Sequence, residues 1–188
     1  IGQGILFMAI FSGIELIWDR QFGFLKETLV APVSRFEIMI GRTLGGATIA
    51  LVQGVIVFLL TLAVGFRPQQ LILIPMAILL MLLISLFYSA LGTAIASTMR
   101  DFHGFQLIMN FLVMPTFFLS GALFPLDQTP AFIRTLSNFN PLTYGVDGLR
   151  STLVGVSHFG LGVDILVLSF VSLAALIAGS YLFSRITV

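Results

Sequence analysis

Cysteine is absent from this sequence of 188 residues, which excludes disulfides and thiolate metal sites. Histidine is almost as scarce: His103 and His158 stand far apart, so a zinc site is not expected. Charge is in short supply as well, at 9% of residues, against about a quarter in a soluble domain. With 58% hydrophobic residues and a mean hydropathy of +1.10, a globule of this chain would have too little polar surface to stay dispersed in water. Lipid is the solvent that suits it. A net charge of +1 gives no footing for a nucleic-acid partner. No Gly-x-x-x-x-Gly-Lys-[Ser/Thr] occurs, so the chain cannot cradle nucleotide phosphates as a P-loop does. There is no initiator methionine and no basic stretch before the opening apolar run, which is therefore no signal peptide. A missing N-terminal stretch, up to a whole helix, is expected.

What is present is apolar and long. A bilayer-crossing helix needs roughly 20 largely apolar residues. Residues 44–65, 71–98, 105–124 and 160–183 meet that standard, and residues 1–17 read as part of a further span. The fold class is thus all-α, a polytopic transmembrane bundle forming a single domain of about five spans. The segments between the spans divide their basic residues unequally. Arg20, Lys26, Arg35, Arg42, Arg100 and Arg185 fall on one side, six against three for Arg67, Arg134 and Arg150 on the other. The positive-inside rule places the richer side, with Trp18–Thr43, in the cytoplasm.

That inner segment is organised. Residues 22–30 read as a short amphipathic helix with Phe22, Leu25 and Leu29 on one face, Lys26 and Glu27 elsewhere. Pro32 forces it to stop and pushes Ala31 out of the helical region. Ser34-Arg35-Phe36-Glu37 has the capping-box pattern, which opens a new helix running into the 44–65 span. Either the short helix lies among lipid headgroups, or it docks a cytosolic partner.

The long outer segment from Pro125 to Phe159 is too amphipathic for a simple loop. Thr129-Pro130 and Asn140-Pro141 both look like helix starts, giving helices over 130–138 and 141–154. The second carries Leu142, Val146, Leu149 and Leu153 on one stripe, with Thr143, Asp147, Arg150 and Ser151 mostly away from it. Asp147 and Arg150, at i and i+3, can pair.

Polar and small residues punctuate the spans. Gly46, Ala50 and Gly54 form a small-residue row, as do Gly41 and Gly45, which suits close helix packing. Ser85, Ser89, Thr93 and Ser97 place a hydroxyl on every fourth residue. They either bond within and between helices or line a weakly polar substrate track. Glu15, near Trp18 and Arg20, reads as an interfacial acid, with an intramembrane functional acid as the alternative. Pro115 suggests a kink in its span. Two enzyme readings fail: Asp147-Gly148-Leu149-Arg150 lacks the further aspartates of a metal–diphosphate site, and Ser120-Gly121 lacks both a glycine-rich turn and a histidine in a later span.

The run from Trp18 to Ile38 resembles the permease subunit of ABC-2 type transporters, the group that includes the daunorubicin-resistance and nodulation-factor exporters. Asp19-Arg20, Gly23, Glu27, Leu29, Pro32, Ser34 and Arg35 lie on the family's pattern, with Leu29 one position off. Asn140-Pro141-Leu142-Thr143-Tyr144, Asp147 and Arg150 resemble its second element. The resemblance implies that Phe22, Gly23, Leu25, Glu27, Leu29, Pro32, Ser34 and Arg35 form a coupling helix and joint against a cytosolic ATPase subunit. It also implies that the outer helices form a re-entrant pair. ATP and magnesium would bind the ATPase, not this chain, which would have no cofactor of its own. A second permease copy, identical or related, and membrane lipid complete the expected partners, in a prokaryotic plasma membrane. The expected function is export of a hydrophobic or amphipathic compound or a lipid-linked glycan. A membrane-embedded enzyme of lipid metabolism and an ion-coupled carrier are the alternatives; a carrier calls for internal repeats and buried ionisable residues at mid-membrane, and neither is evident.

Overall fold

A computed structural model describes residues 1–30, 32–99, 101–124 and 129–185. Ala31, Arg100 and Pro125 lie outside the described residues, as do the side chains of Lys26 and Leu29. Among the described residues the fold is all-helical. Two short helices open it, α1 (Gly2–Phe11) and α2 (Ile14–Gln21), followed by α3 (Phe24–Val30). Then come α4 (Arg35–Ala63), a 3-10 turn at Leu71–Leu73 leading into α5 (Ile74–Thr98), and α6 (Phe102–Leu119). The last three are α7 (Ala131–Asn138), α8 (Pro141–Val154) and α9 (Leu161–Ser184). Among the described residues, four helical stretches are long and apolar enough to cross a membrane: α4, the 3-10 turn with α5, α6 and α9. The opening run, expected as part of a further span, is made of α1 and α2, which meet at Ser12 and Gly13, both with right-handed helical dihedrals.

The capping box at Ser34 is present. The Glu37 N–H donates to Ser34 Oγ at 3.2 Å, and the Ser34 N–H donates to Glu37 Oε2 at 2.7 Å. From that cap α4 runs unbroken for 29 residues. The expected span over 105–124 ends early, at Leu119, because Ser120 caps the helix and Gly121 takes a positive φ of 73°.

The centre of the bundle is α5, which packs against α1, α4, α8 and α9. Leu80, Met81, Ile84 and Tyr88 on α5 are buried together with Ile5, Leu6 and Ile10 of α1 and Leu168 of α9. Lipid gives apolar side chains no reason to leave it for one another, so close approach of backbones must hold such helices together. Glycine provides it. A Cβ on Gly46 would strike the Ser12 and Ser89 hydroxyls, and one on Gly54 would stand 2.6 Å from Ile5. Gly41 and Gly45 have no atom within 4 Å of that position, so their row is not part of the packing within this chain.

Ser85, Ser89, Thr93 and Ser97 are buried in α5, with exposures between 0% and 6%. Ser85, Thr93 and Ser97 donate to carbonyls of their own helix, and Ser89 donates to the Thr43 carbonyl of α4 at 3.0 Å. The row is thus engaged in bonds within the bundle. Its hydroxyls bond backwards along the helix and across to α4, because lipid offers them no other acceptor.

Candidate coupling segment and outer re-entrant helix

At one end of the bundle, arginines tie the helices together. Arg42 on α4 pairs with Asp19 on α2. Arg20 donates to the Met99 carbonyl and, at 3.0 Å, to that of Ser97, where α5 ends. Arg35 donates to the Ser184 carbonyl at the end of α9, at 2.8 Å. A helix leaves its last carbonyls without partners inside the helix, and a guanidinium there meets both the carbonyls and the negative end of the dipole. Asp19, Arg20 and Arg35 thus hold α2, α4, α5 and α9 in one ring.

Below that ring hangs the short helix. It begins at Phe24 rather than Phe22, because Gly23 has a φ of 85° and breaks the chain direction after α2. Phe22 becomes the cap of α2, its N–H donating to the Trp18 carbonyl. This break alters the face expected for 22–30. Leu25 turns inward and is fully buried in the core, while Phe22, Phe24, Glu27 and Val30 are exposed. Pro32, Val33, Ser34 and Arg35 continue the exposed strip into α4. The surface open to a partner therefore runs through Phe22, Phe24, Glu27 and Val30, and Leu25 belongs to the fold.

At the opposite end, α8 is set into the bundle. Its N-terminal cap is Asn140, whose Oδ1 accepts from the Leu142 N–H at 3.1 Å and whose Nδ2 donates to the Thr116 carbonyl at 2.6 Å. Thr143 donates to the Leu119 carbonyl and Arg150 to that of Gly121, so α8 closes the carbonyl end of α6. Pro141 takes the first helical position, where no N–H is needed. Tyr144 donates to the Asn138 carbonyl at 2.8 Å and fixes the turn from α7. Gly145 faces Ile84 of α5, and Gly148 faces Leu80, so α8 runs antiparallel to α5. Its N-terminus lies at the level of Tyr88, deep along α5, and its far end meets the Gln69 N–H, which donates to the Leu153 carbonyl.

The expected pairing of Asp147 with Arg150 does not form. Asp147 accepts instead from the His158 and Phe159 N–H groups at 2.9 and 2.8 Å and from the Ser157 hydroxyl. Those amides precede α9 and lack helical partners, so they claim the carboxylate first. Nor is α8 one-sided: Thr143, Asp147 and Thr152 are buried along with Leu142, Leu149 and Leu153, since the helix has neighbours on several sides. Sequence reasoning missed Gly13, Gly92, Gly145 and Gly148 as contact points. It also passed over Asp164, an acid inside the 160–183 run that α9 buries completely.

A cavity of about 770 Å³ opens beside α8, walled by Val57 and Leu60 of α4, Phe117 of α6, and Val146, Leu149 and Arg150. Its walls are largely apolar, with one guanidinium among them.

These features define a multi-pass helical membrane protein with a short helix set into the bundle at one end and an exposed apolar strip at the other. The chain belongs to the ABC-2 type transporter family, whose model matches residues 1–154. It is 29% identical over 143 residues to the transport permease ycf38 of Porphyra purpurea, covering 76% of this chain and 49% of the relative. It is similar also to the inner membrane transport permease YadH of Escherichia coli K12, 28% identical over 137 residues, covering 73% and 53%. To nodulation protein J of Rhizobium leguminosarum bv. trifolii it is 28% identical over 119 residues, covering 63% and 45%. The chain spans about half the length of the curated relatives it matches.

Proposed function

We propose that this chain supplies membrane-spanning helices to an ATP-driven exporter of the plasma membrane. The energy comes from a separate cytosolic ATPase subunit, which binds ATP and magnesium. Membership of a family whose named relatives are transport permeases supports this reading. The observation that carries it is the strip of Phe22, Phe24 and Val30, exposed at the arginine-rich end beside Glu27. Apolar side chains beside charge at a helix tip suit a protein partner with an apolar pocket and a basic rim. The positive-inside rule makes that end cytoplasmic, where the ATPase is found. The pathway forms between this chain and a second permease copy, identical or related. The apolar cavity beside α8, with Arg150 in its wall, favours a hydrophobic or amphipathic cargo, including a lipid-linked glycan, over a small polar one.

The test is co-purification of the ATPase with the full-length permease carrying Phe22→Asp and Phe24→Asp. Both side chains are exposed, so the bundle should insert normally while ATPase recovery and cargo-stimulated ATP hydrolysis fall sharply. Undiminished association would refute the docking strip.

A further inference from the structure

Asp164 stands in the first turn of α9, fully buried, and neither carboxylate oxygen has a hydrogen-bond partner. Its Cβ fills the notch left by Gly148 on α8, 3.4 Å from where a Cβ on that glycine would stand, and Leu80 of α5 closes the other side. The residue before that notch is Asp147, near enough to act on Asp164 electrostatically. The His158 and Phe159 amides and the Ser157 hydroxyl all donate to the Asp147 carboxylate. The other titratable groups facing this crossing are Tyr144, whose hydroxyl donates to Asn138, and His158, whose ring meets Phe159 edge-on. From α5 only the apolar Leu80 and Ile84 reach α8 at this point. Arg150 on α8 donates to Gly121, and among the described residues no cation pairs with Asp164.

A buried carboxylate with no donor and no counter-charge is among the costliest groups a fold can hold, and a second anion beside it raises the cost. No group of three or more potential metal ligands occurs among the described residues. A proton is the one ligand that neutralises the group without further ligands. We propose that Asp164 is a proton-binding site. With the proton on, α8 seats against α9 as a neutral contact. With it off, two negative charges meet at one helix crossing, and α8 is released from α9. The site would thus set how firmly the re-entrant helix is held, independently of whether an ATPase docks at the other end.

The test uses the full-length protein in lipid vesicles. Infrared spectra at neutral pH should contain the carbonyl band of a protonated carboxyl group. That band should vanish in Asp164→Asn and move in Asp164→Glu, which covers the case in which the amide variant does not insert. Absence of the band from the unaltered protein, or its persistence unmoved in the variants, overturns the site. The release of α8 is read with Ser151→Cys in this cysteine-free chain. Labelling by a membrane-impermeant thiol reagent should rise more steeply with pH in the parent than in Asp164→Asn, where only the thiol titrates. Equal slopes overturn the release.

Discussion

A methyl group on Gly92 would stand 2.2 Å from the Ile10 carbonyl oxygen, and one on Gly13 would stand 2.4 Å from the carbonyl oxygen of Gly92. Both obstacles are backbone, which no rotamer change can move. Gly92→Ala should therefore destabilise the bundle by about 1–3 kcal/mol, the usual cost of overpacking. Gly45→Ala, with nothing within 4 Å, should cost far less. Thermal unfolding of both variants in detergent checks this; similar midpoints would contradict the close backbone approach at Gly92. At this scale the sequence was half legible. The row of Gly46, Ala50 and Gly54 announces itself by spacing and is used in packing, whereas Gly41 and Gly45 carry the same spacing and have no contact within the chain. Gly13 and Gly92 are paired at that spacing only with Ala9 and Ala96, and their closeness exists only once the opening helices cross α5. Asp164 needed no structure to be noticed: an acid in a run of valine, isoleucine and leucine is itself a signal.

Among the elements, the helix that begins at Ser34 joins the exposed strip to the bundle. Losing an N-cap costs about 1 kcal/mol. That is too little to unfold helices embedded in lipid, and enough to loosen a joint that passes force. Ser34→Ala with Glu37→Ala should insert and bind the ATPase, yet move less cargo per ATP hydrolysed in reconstituted vesicles. An unchanged ratio with less inserted protein would assign the cap to biogenesis alone. Within α3, Leu25→Asp should lower the amount of folded protein, because it buries a charge, while Phe24→Asp should leave that amount unchanged. Pulse-chase measurement of membrane-inserted protein separates the two. Helix starts were the most readable features here, since Ser34, Asn140 and Pro141 act through side chains or ring geometry local to each start. Stops were not. Gly23 and Gly121 end helices through backbone conformation, and the amphipathic pattern across Gly23 started the helix at Phe22, which instead caps α2. The face read from residues 22–30 failed for the same reason.

Taken whole, the molecule has one end gathered by arginines and another closed by α8. Cysteines at Glu27 and at Phe132, both exposed, should react differently with an impermeant thiol reagent in intact cells. Labelling at 132 and protection at 27 is expected; the reverse would invert the orientation drawn from the charge count. Four long helices of the bundle were legible from hydropathy alone, because the length of such an apolar run is set by the bilayer. The insertion of α8 between α5 and α9 was not derivable from periodicity, since a helix with neighbours on several sides has no clean stripe to read. Its depth, at the level of Tyr88, emerges only from the bonds it makes.

The crossing of α1 and α5 at Gly13 and Gly92 also has mechanical meaning. Backbone meets backbone there, while side chains of α1 and α5 pack together further along the crossing, so the place of closest approach is the natural pivot for a tilt. On α5, Gly92 stands six residues from the arginine-gathered end at Thr98 and eighteen from the other end at Ile74. At a rise of about 1.5 Å per residue, those are arms of about 9 and 27 Å. A tilt of α5 about this fulcrum would turn a push of one ångström near Arg20 into a swing of about two, in the opposite direction, beside Leu80 and the seat of α8, and of about three at Ile74.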